Sequence, residues 1–295
     1  MKRVFLTFVV ATLVYSIGVH ADQDVPDVDA KVRMLRAALE YGDSTARRNA
    51  VRALAGLGAG AEAAVPALAE ALKDKDGEVR AAVIEVLGKI GPGAKGAVPA
   101  LVEIVKDRDD PLRPRAIDAL ARVGPGAAAA VPVLIDCVKG TGSATYMTAI
   151  NALGKVGPAA RKAVPLIVRA LKSNDRNIRE SAAYALGNIG EPVQAVLPAL
   201  VGALGDPDAD VRRRGARGLG MLGPKAAKAE DALRKALGDK DKTVAARAAW
   251  ALGQLGAGGE QTIAGLIEAL HSTEMRQLAA AALGRAGKPG IGHGH

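Results

Sequence analysis

Prolines fall at positions 66, 99, 132, 165 and 198, one every 33 residues. Asp231 and Ala264 take the same place in the next two periods. A second column repeats at the same step: Leu54, Leu87, Leu120, Leu153, Leu186, Leu219 and Leu252, with Leu283 following after 31. A glycine stands four residues after each leucine, at 58, 91, 124, 157, 190, 223, 256 and 287. A period of this length constrains the fold more than any single motif. Each copy is too short to bury its own apolar face, so neighbouring copies must stack and share one continuous core. The columns define eight repeats between about residues 28 and 287.

Each repeat reads as two helices. In the second, AAVPALAEALKD and EVRAAVIEVLGKIG both carry apolar residues at helical spacing. Asp76 lies in the turn between them and suits a helix N-cap, because its carboxylate can accept from free backbone N–H groups. The closing glycine suits a left-handed C-terminal cap. The proline suits the first turn of the first helix, where a missing N–H costs least, or else kinks a helix that starts earlier. Hydrophobic residues make up 49% of the chain and aromatics only 2%, so the core is thin and built between small-faced helices.

The segment before the repeats is of another kind. Lys2 and Arg3 precede an apolar run from Val4 to Val19, and Val19 and Ala21 suit a signal-peptidase site. Residues 1–21 are expected to be a signal peptide, 22–27 a linker, 28–287 the repeat array and 288–295 a disordered Gly-rich tail. The chain is expected to be exported, to the periplasm or beyond the cell. An uncleaved anchor is the alternative, but the run is short for a bilayer span. No cysteine follows that run, which excludes a lipoprotein anchor. No later segment reads as long and uncharged enough to span a bilayer.

Charge is uneven. Residues 22–150 hold 17 Lys/Arg against 18 Asp/Glu, and residues 151–295 hold 21 against 13. The basic excess therefore belongs to the C-terminal half, where an acidic partner fits best. Cys137 is the only cysteine, so no intramolecular disulfide exists. It aligns with small or apolar residues in the other repeats and reads as a buried small hydrophobe.

The second repeat, VPALAEALKDKDGEVRAAVIEVLGKIG, and the sixth, LPALVGALGDPDADVRRRGARGLGMLG, resemble HEAT repeats, and more closely those of the phycobilisome-lyase-like HEAT subfamily. The resemblance covers nearly all of the chain after residue 21. It implies an all-α fold, a right-handed α-solenoid of about eight HEAT-like helix pairs. It also implies that the recurring pairs Asp43/Arg47, Asp76/Arg80, Asp109/Arg113, Asp175/Arg179 and Asp208/Arg212 knit neighbouring repeats by hydrogen bonds. The fourth repeat departs with Gly142 and Tyr146, and the seventh with Ala245. Pro111 and Pro114 disturb the third, so the middle of the array is expected to be irregular.

In such folds the second helices line the concave surface. At 100° per residue, positions 79, 83, 86, 87 and 90 face the core, and position 85 centres the opposite side. That outward column reads Arg52, Glu85, Asp118, Asn151, Tyr184, Arg217, Trp250 and Ala281. Tyr184, Arg217 and Trp250 come from consecutive repeats, with Arg213, Arg214 and Arg247 beside them. Aromatics and arginines dominate interaction hot spots. Tyr184, Arg213, Arg217, Arg247 and Trp250 are thus the expected partner-binding residues. The bland alternative is a solvated face on which Arg217 stacks over Trp250. The N-terminal set Arg52, Glu85 and Asp118 reads as solvated surface.

Chemistry is sparse. His271, His293 and His295 make no metal site, and neither a metal nor a cofactor is expected. Glu85 and Asp118 could reach the spacing of an inverting glycosidase, but no aromatic platform accompanies them. Gly56, Gly58 and Gly60 follow no strand and make no phosphate loop. The leading expectation is an exported, non-catalytic scaffold binding a protein or peptide, with no stable membrane span after cleavage. The alternative is a lyase-type accessory factor binding a tetrapyrrole-like ligand, although no residue carries that role over. A basic concave face would also suit nucleic acid, which the signal peptide argues against.

Overall fold

The structure, a computed structural model, describes residues 28–140, 145–273 and 275–286. The expected signal peptide, linker and tail, with Gly142, Gly287, His293 and His295, lie outside the described residues. The described residues carry sixteen α-helices, no strand, and a division into two compact units between Val156 and Gly157. In the first unit the pairs are α1 (Val28–Tyr41) with α2 (Ser44–Leu57), α3 (Val65–Ala71) with α4 (Gly77–Ile90), α5 (Val98–Lys106) with α6 (Arg113–Val123), and α7 (Val131–Lys139) with α8 (Tyr146–Val156). In the second they are α9 (Val164–Ala170) with α10 (Arg176–Ile189), α11 (Val193–Ala203) with α12 (Ala209–Leu222), α13 (Glu230–Ala236) with α14 (Lys242–Leu255), and α15 (Glu260–Ala269) with α16 (Arg276–Leu283). Each second helix packs on its own first helix. Within the first unit α2, α4, α6 and α8 form one contiguous row, and within the second α10, α12, α14 and α16 form another.

The closing glycines do more than end a helix. All seven that are described have positive φ, from 52° to 76°. The expected left-handed cap holds at Gly190, where ψ is −13°, and there the next helix follows after only a short turn. At Gly91, ψ is instead −127°, a combination open essentially to glycine alone. The chain then enters a 3₁₀ turn, Gly91–Ala97, before α5 begins. This difference fixes where the prolines fall. Pro66, Pro99, Pro132 and Pro165 sit in the first turn of α3, α5, α7 and α9, after such 3₁₀ turns. Pro198 lies inside α11, because that helix starts at Val193 and absorbs the stretch that is 3₁₀ elsewhere.

The leucine column is the core: Leu54, Leu87, Leu120, Leu153, Leu186, Leu219 and Leu252 are fully buried. Val79, Val83, Val86, Leu87 and Ile90 of α4 are buried as the helical angle requires. Ile84 is buried as well, so the buried arc is wider than expected. In the second unit the row of second helices closes to backbone contact. A Cβ on Gly187 of α10 would lie 2.7 Å from the Cα of Gly218 on α12. The expected irregularity of the third and fourth repeats is a shortening: α6 and α8 have 11 residues where α2, α4, α10, α12 and α14 have 14.

The Asp/Arg pairs do not bond to each other within a repeat. Asp43, Asp76, Asp175, Asp208 and Asp241 cap their second helices by accepting backbone N–H groups. The arginine reaches forward instead. Arg179 forks onto Asp206 at 2.8 and 3.0 Å, and Arg212 onto Asp239 at 2.7 and 2.8 Å. Arg47 does the same to Asp74. Each acceptor lies in the following repeat, two residues before its N-cap aspartate. The remaining guanidinium nitrogen caps carbonyls of the arginine's own turn, as Arg212 does for Asp206 and Pro207. Arg113 finds Gly140 where an aspartate would stand, and donates to Cys137 Sγ at 3.1 Å. In the fourth repeat Tyr146 occupies the arginine's place and is buried.

Two continuous stretches, Ser44–Ala71 and Arg113–Lys139, are long and apolar enough to cross a membrane by length and composition alone. This amends the expectation from sequence. What interrupts them is the backbone: each passes through a closing glycine, Gly58 or Gly124, and a 3₁₀ turn, so neither is one straight helix.

Candidate functional site

The expected site residues all belong to the second unit, on its row of second helices. Tyr184 stands on α10, Arg213, Arg214 and Arg217 on α12, and Arg247 and Trp250 on α14. All six are half-buried. The repeat period places Tyr184, Arg217 and Trp250 at the same register of three successive helices. The close approach of those helices then brings each side chain against the next helix.

Trp250 shows the consequence. Its ring lies on Gly220 of α12, where a Cβ would come within 2.8 Å of Trp250 Cε3 and 3.0 Å of Ala251 Cα. With the Gln254 amide turned so that its oxygen meets two donors, the indole N–H donates to it at 3.0 Å. Trp250 therefore does not simply face away from the core. It fills the seam between two repeats and is half-buried there. Arg247 covers the ring, its guanidinium carbon 5.3 Å from the centroid. Arg217 does not stack over Trp250. It lies over Tyr184 at 5.7 Å, with Arg214 over the same ring at 5.3 Å.

The charges divide into two sets. Arg214 donates from Nε and Nη2 to Glu180 Oε1 at 3.0 and 2.9 Å, and Arg213 pairs with Asp210 on its own helix. Arg217 and Arg247 have no carboxylate within ion-pair distance among the described residues. Burial pushes the Arg247 guanidinium below the usual arginine range, and the charges of Arg217, Arg213 and Arg214 push it further. Like charges held together this way are relieved by an anion.

Between α12, α14 and α16 lies a cavity of about 450 Å³, lined by Arg213, Arg214, Arg217, Lys242, Thr243, Ala246, Arg247 and Leu278. The structure thus brings Arg213, Arg217 and Arg247 to one cavity. It sets Tyr184 and Trp250 behind the arginines, as rings that hold Arg217 and Arg247 in place. Lys242, Thr243 and Leu278 were not anticipated. Lys242 and Thr243 stand about two turns before Trp250 on α14, and Leu278 about one turn before Ala281 on α16, and the packing of those helices brings them to the rim. The Thr243 hydroxyl is committed to Asp241 at 2.6 Å.

A second cavity, of about 410 Å³, lies in the first unit between α4 and α6 and includes Glu85 and Asp118. Both its carboxylates are paired on their own helices, Glu85 with Lys89 and Asp118 with Arg122, each at 2.9 Å, and Arg115 lines it as well. The hydrogen bond from Lys89 holds the Glu85 carboxyl below the usual carboxylate range, which is the reverse of what a general acid needs. Among the described residues no group of three His, Cys, Asp or Glu side chains could hold a metal ion.

Fold and site together define an all-α scaffold of stacked helix pairs with a basic face. The HEAT repeat pattern matches residues 32–121, 131–208 and 197–284, and the chain belongs to the HEAT-repeat family. A comparison with curated proteins found no match. Among solved structures, an engineered protein is 27% identical at a TM-score of 0.58, over 88% of this chain and 80% of that one. Importin beta is 16% identical at a TM-score of 0.59, over 88% of this chain and 42% of that one. The complex of CpcE and CpcF of phycocyanin lyase from Nostoc sp. PCC7120 is 25% identical at a TM-score of 0.48, over 88% and 99%.

Proposed function

We propose that this chain is an exported, non-catalytic scaffold that binds an acidic protein or peptide across α10, α12 and α14. The observation that carries the reading is the pair Arg217 and Arg247. Both are half-buried, both lie over an aromatic ring, and both open onto one cavity with no carboxylate at ion-pair distance among the described residues. Unpaired, partly desolvated arginines backed by aromatics are the composition of an interface anchor. The HEAT-repeat fold supports a scaffold role, and the charged start, apolar run and Val19/Ala21 site support export.

The test is a photo-crosslinking residue placed at Met221, which is exposed on α12, in protein produced in its native host. The expected result is one labelled partner from outside the cytoplasm, lost when Trp250 is replaced by Ala. Labelling that is unchanged in Trp250→Ala, or spread over many proteins, removes the reading. Visible absorbance in the purified chain would instead favour a lyase-type factor carrying a pigment.

A further inference from the structure

Building on the partner-binding reading, we infer that the cavity between α12 and α14 takes a multiply charged oxyanion, presented by the partner as clustered carboxylates or a phosphoryl group. Five cationic side chains line it, Arg213, Arg214, Arg217, Lys242 and Arg247, and two carboxylates, Asp210 and Glu180, are paired with the first two. Among the described residues Arg217, Lys242 and Arg247 are left without a carboxylate at ion-pair distance, an excess of three positive charges. One carboxylate would leave most of that excess in place, whereas a dianion removes most of it. The geometry suits an oxyanion as well. Guanidinium groups present planar forks of N–H donors, and charge-assisted bonds to carboxylate or phosphate are among the strong ones. The cavity leaves room beside the anion, where an apolar part of the partner segment can rest on Ala246 and Leu278.

The arrangement has a built-in reporter. Trp250 is the only tryptophan in the chain, and the Arg247 guanidinium covers its ring. An anion bound between Arg217 and Arg247 draws Arg247 towards the cavity and uncovers the indole. Occupancy therefore changes Trp250 emission directly.

The experiment titrates the full chain with inorganic pyrophosphate, with hexaglutamate and with hexaglutamine, reading Trp250 emission. A saturable change is expected for pyrophosphate, hexaglutamate or both, with a Kd below about 1 mM, and none for hexaglutamine. Response to hexaglutamate alone assigns carboxylates as the source, and response to pyrophosphate alone assigns a phosphoryl group. The double variant Arg217→Ala/Arg247→Ala lacks the guanidinium that covers the indole, so its affinity is read by titration calorimetry beside the parent chain; it should lose at least about tenfold while keeping its helical circular dichroism. If that variant loses helicity, Arg217→Gln carries the same test. Absence of any response, equal response to hexaglutamine, or unchanged affinity in the variants overturns the inference. A duplex oligonucleotide bound about tenfold more tightly than either probe overturns the peptide source and assigns the face to nucleic acid. The Met221 crosslink separates the two readings: if it survives in the double variant, the face binds a partner but the anion does not anchor it.

Discussion

Arg212 donates to both carboxylate oxygens of Asp239, from Nε at 2.7 Å and from Nη2 at 2.8 Å, across 27 residues and into the next repeat. Both side chains are about nine-tenths buried. Arg212→Ala leaves a shielded carboxylate and two uncapped turn carbonyls, and should cost about 3 kcal/mol. Arg80→Ala should cost only about 1 kcal/mol, since Arg80 caps Asp74 O without a fork among the described residues. Urea unfolding of both variants checks the difference. Because stability in a repeat array is local, amide exchange around Asp239 should rise in the first variant alone.

The same joints set an acid limit. The Arg212 hydrogen bond holds the Asp239 carboxyl below the usual carboxylate range. Burial alone would push Asp74 up, but Arg47 and the Asp76 N–H bring it below the usual range. A carboxyl with a folded pKa below its unfolded value of about 3.9 stabilises the fold above that value. The contribution is lost as pH falls through the folded pKa. Melting temperature should therefore fall steeply below about pH 4, and Asp239→Asn should flatten that limb while lowering stability at neutral pH.

Gly220→Ala places a methyl group into the Trp250 ring and the Ala251 backbone. The seam must open, at a cost of about 1–3 kcal/mol. Trp250→Ala removes the obstacle, so the double variant should recover part of the loss, a coupling of at least about 0.5 kcal/mol. Thermal melts of the four proteins in the cycle measure it. Additive losses would mean that the ring does not rest on Gly220.

Cys137 is 3% exposed, and Arg113 donates to its sulfur. It should react with a thiol reagent only as fast as the surrounding repeat opens. Labelling in native buffer should be slow, and should approach the free-thiol rate in denaturing urea. Prompt native labelling would contradict its burial.

The parts legible in sequence are those that repeat in step. The fully buried leucines, the aspartate N-caps and the seven positive-φ glycines each occupy one column, and a column is visible in a single chain. Relationships that run between columns were not. The resemblance implied that the arginines knit neighbouring repeats, as Arg212 does, but periodicity says which residues are equivalent and not that Asp239 is the acceptor. The site was half legible for a related reason. An angular reading treats α14 as an isolated cylinder, on which Trp250 points outward. Gly220 lets α12 approach so closely that outward from one helix is inward against the next. Lys242 and Leu278 reach the cavity through the same closeness.

The forward-reaching arginine makes each joint belong to two copies at once. Removal of residues 180–212, one full period, would bring Asp239 to the separation from Arg179 that Asp206 now holds. At that place a copy can be lost or gained with the carboxylate acceptor kept in register. After Arg113 the equivalent position is Gly140, which offers no carboxylate. There a duplicated or deleted copy arrives without its counterpart, so copies of one length and one fold are not all interchangeable parts.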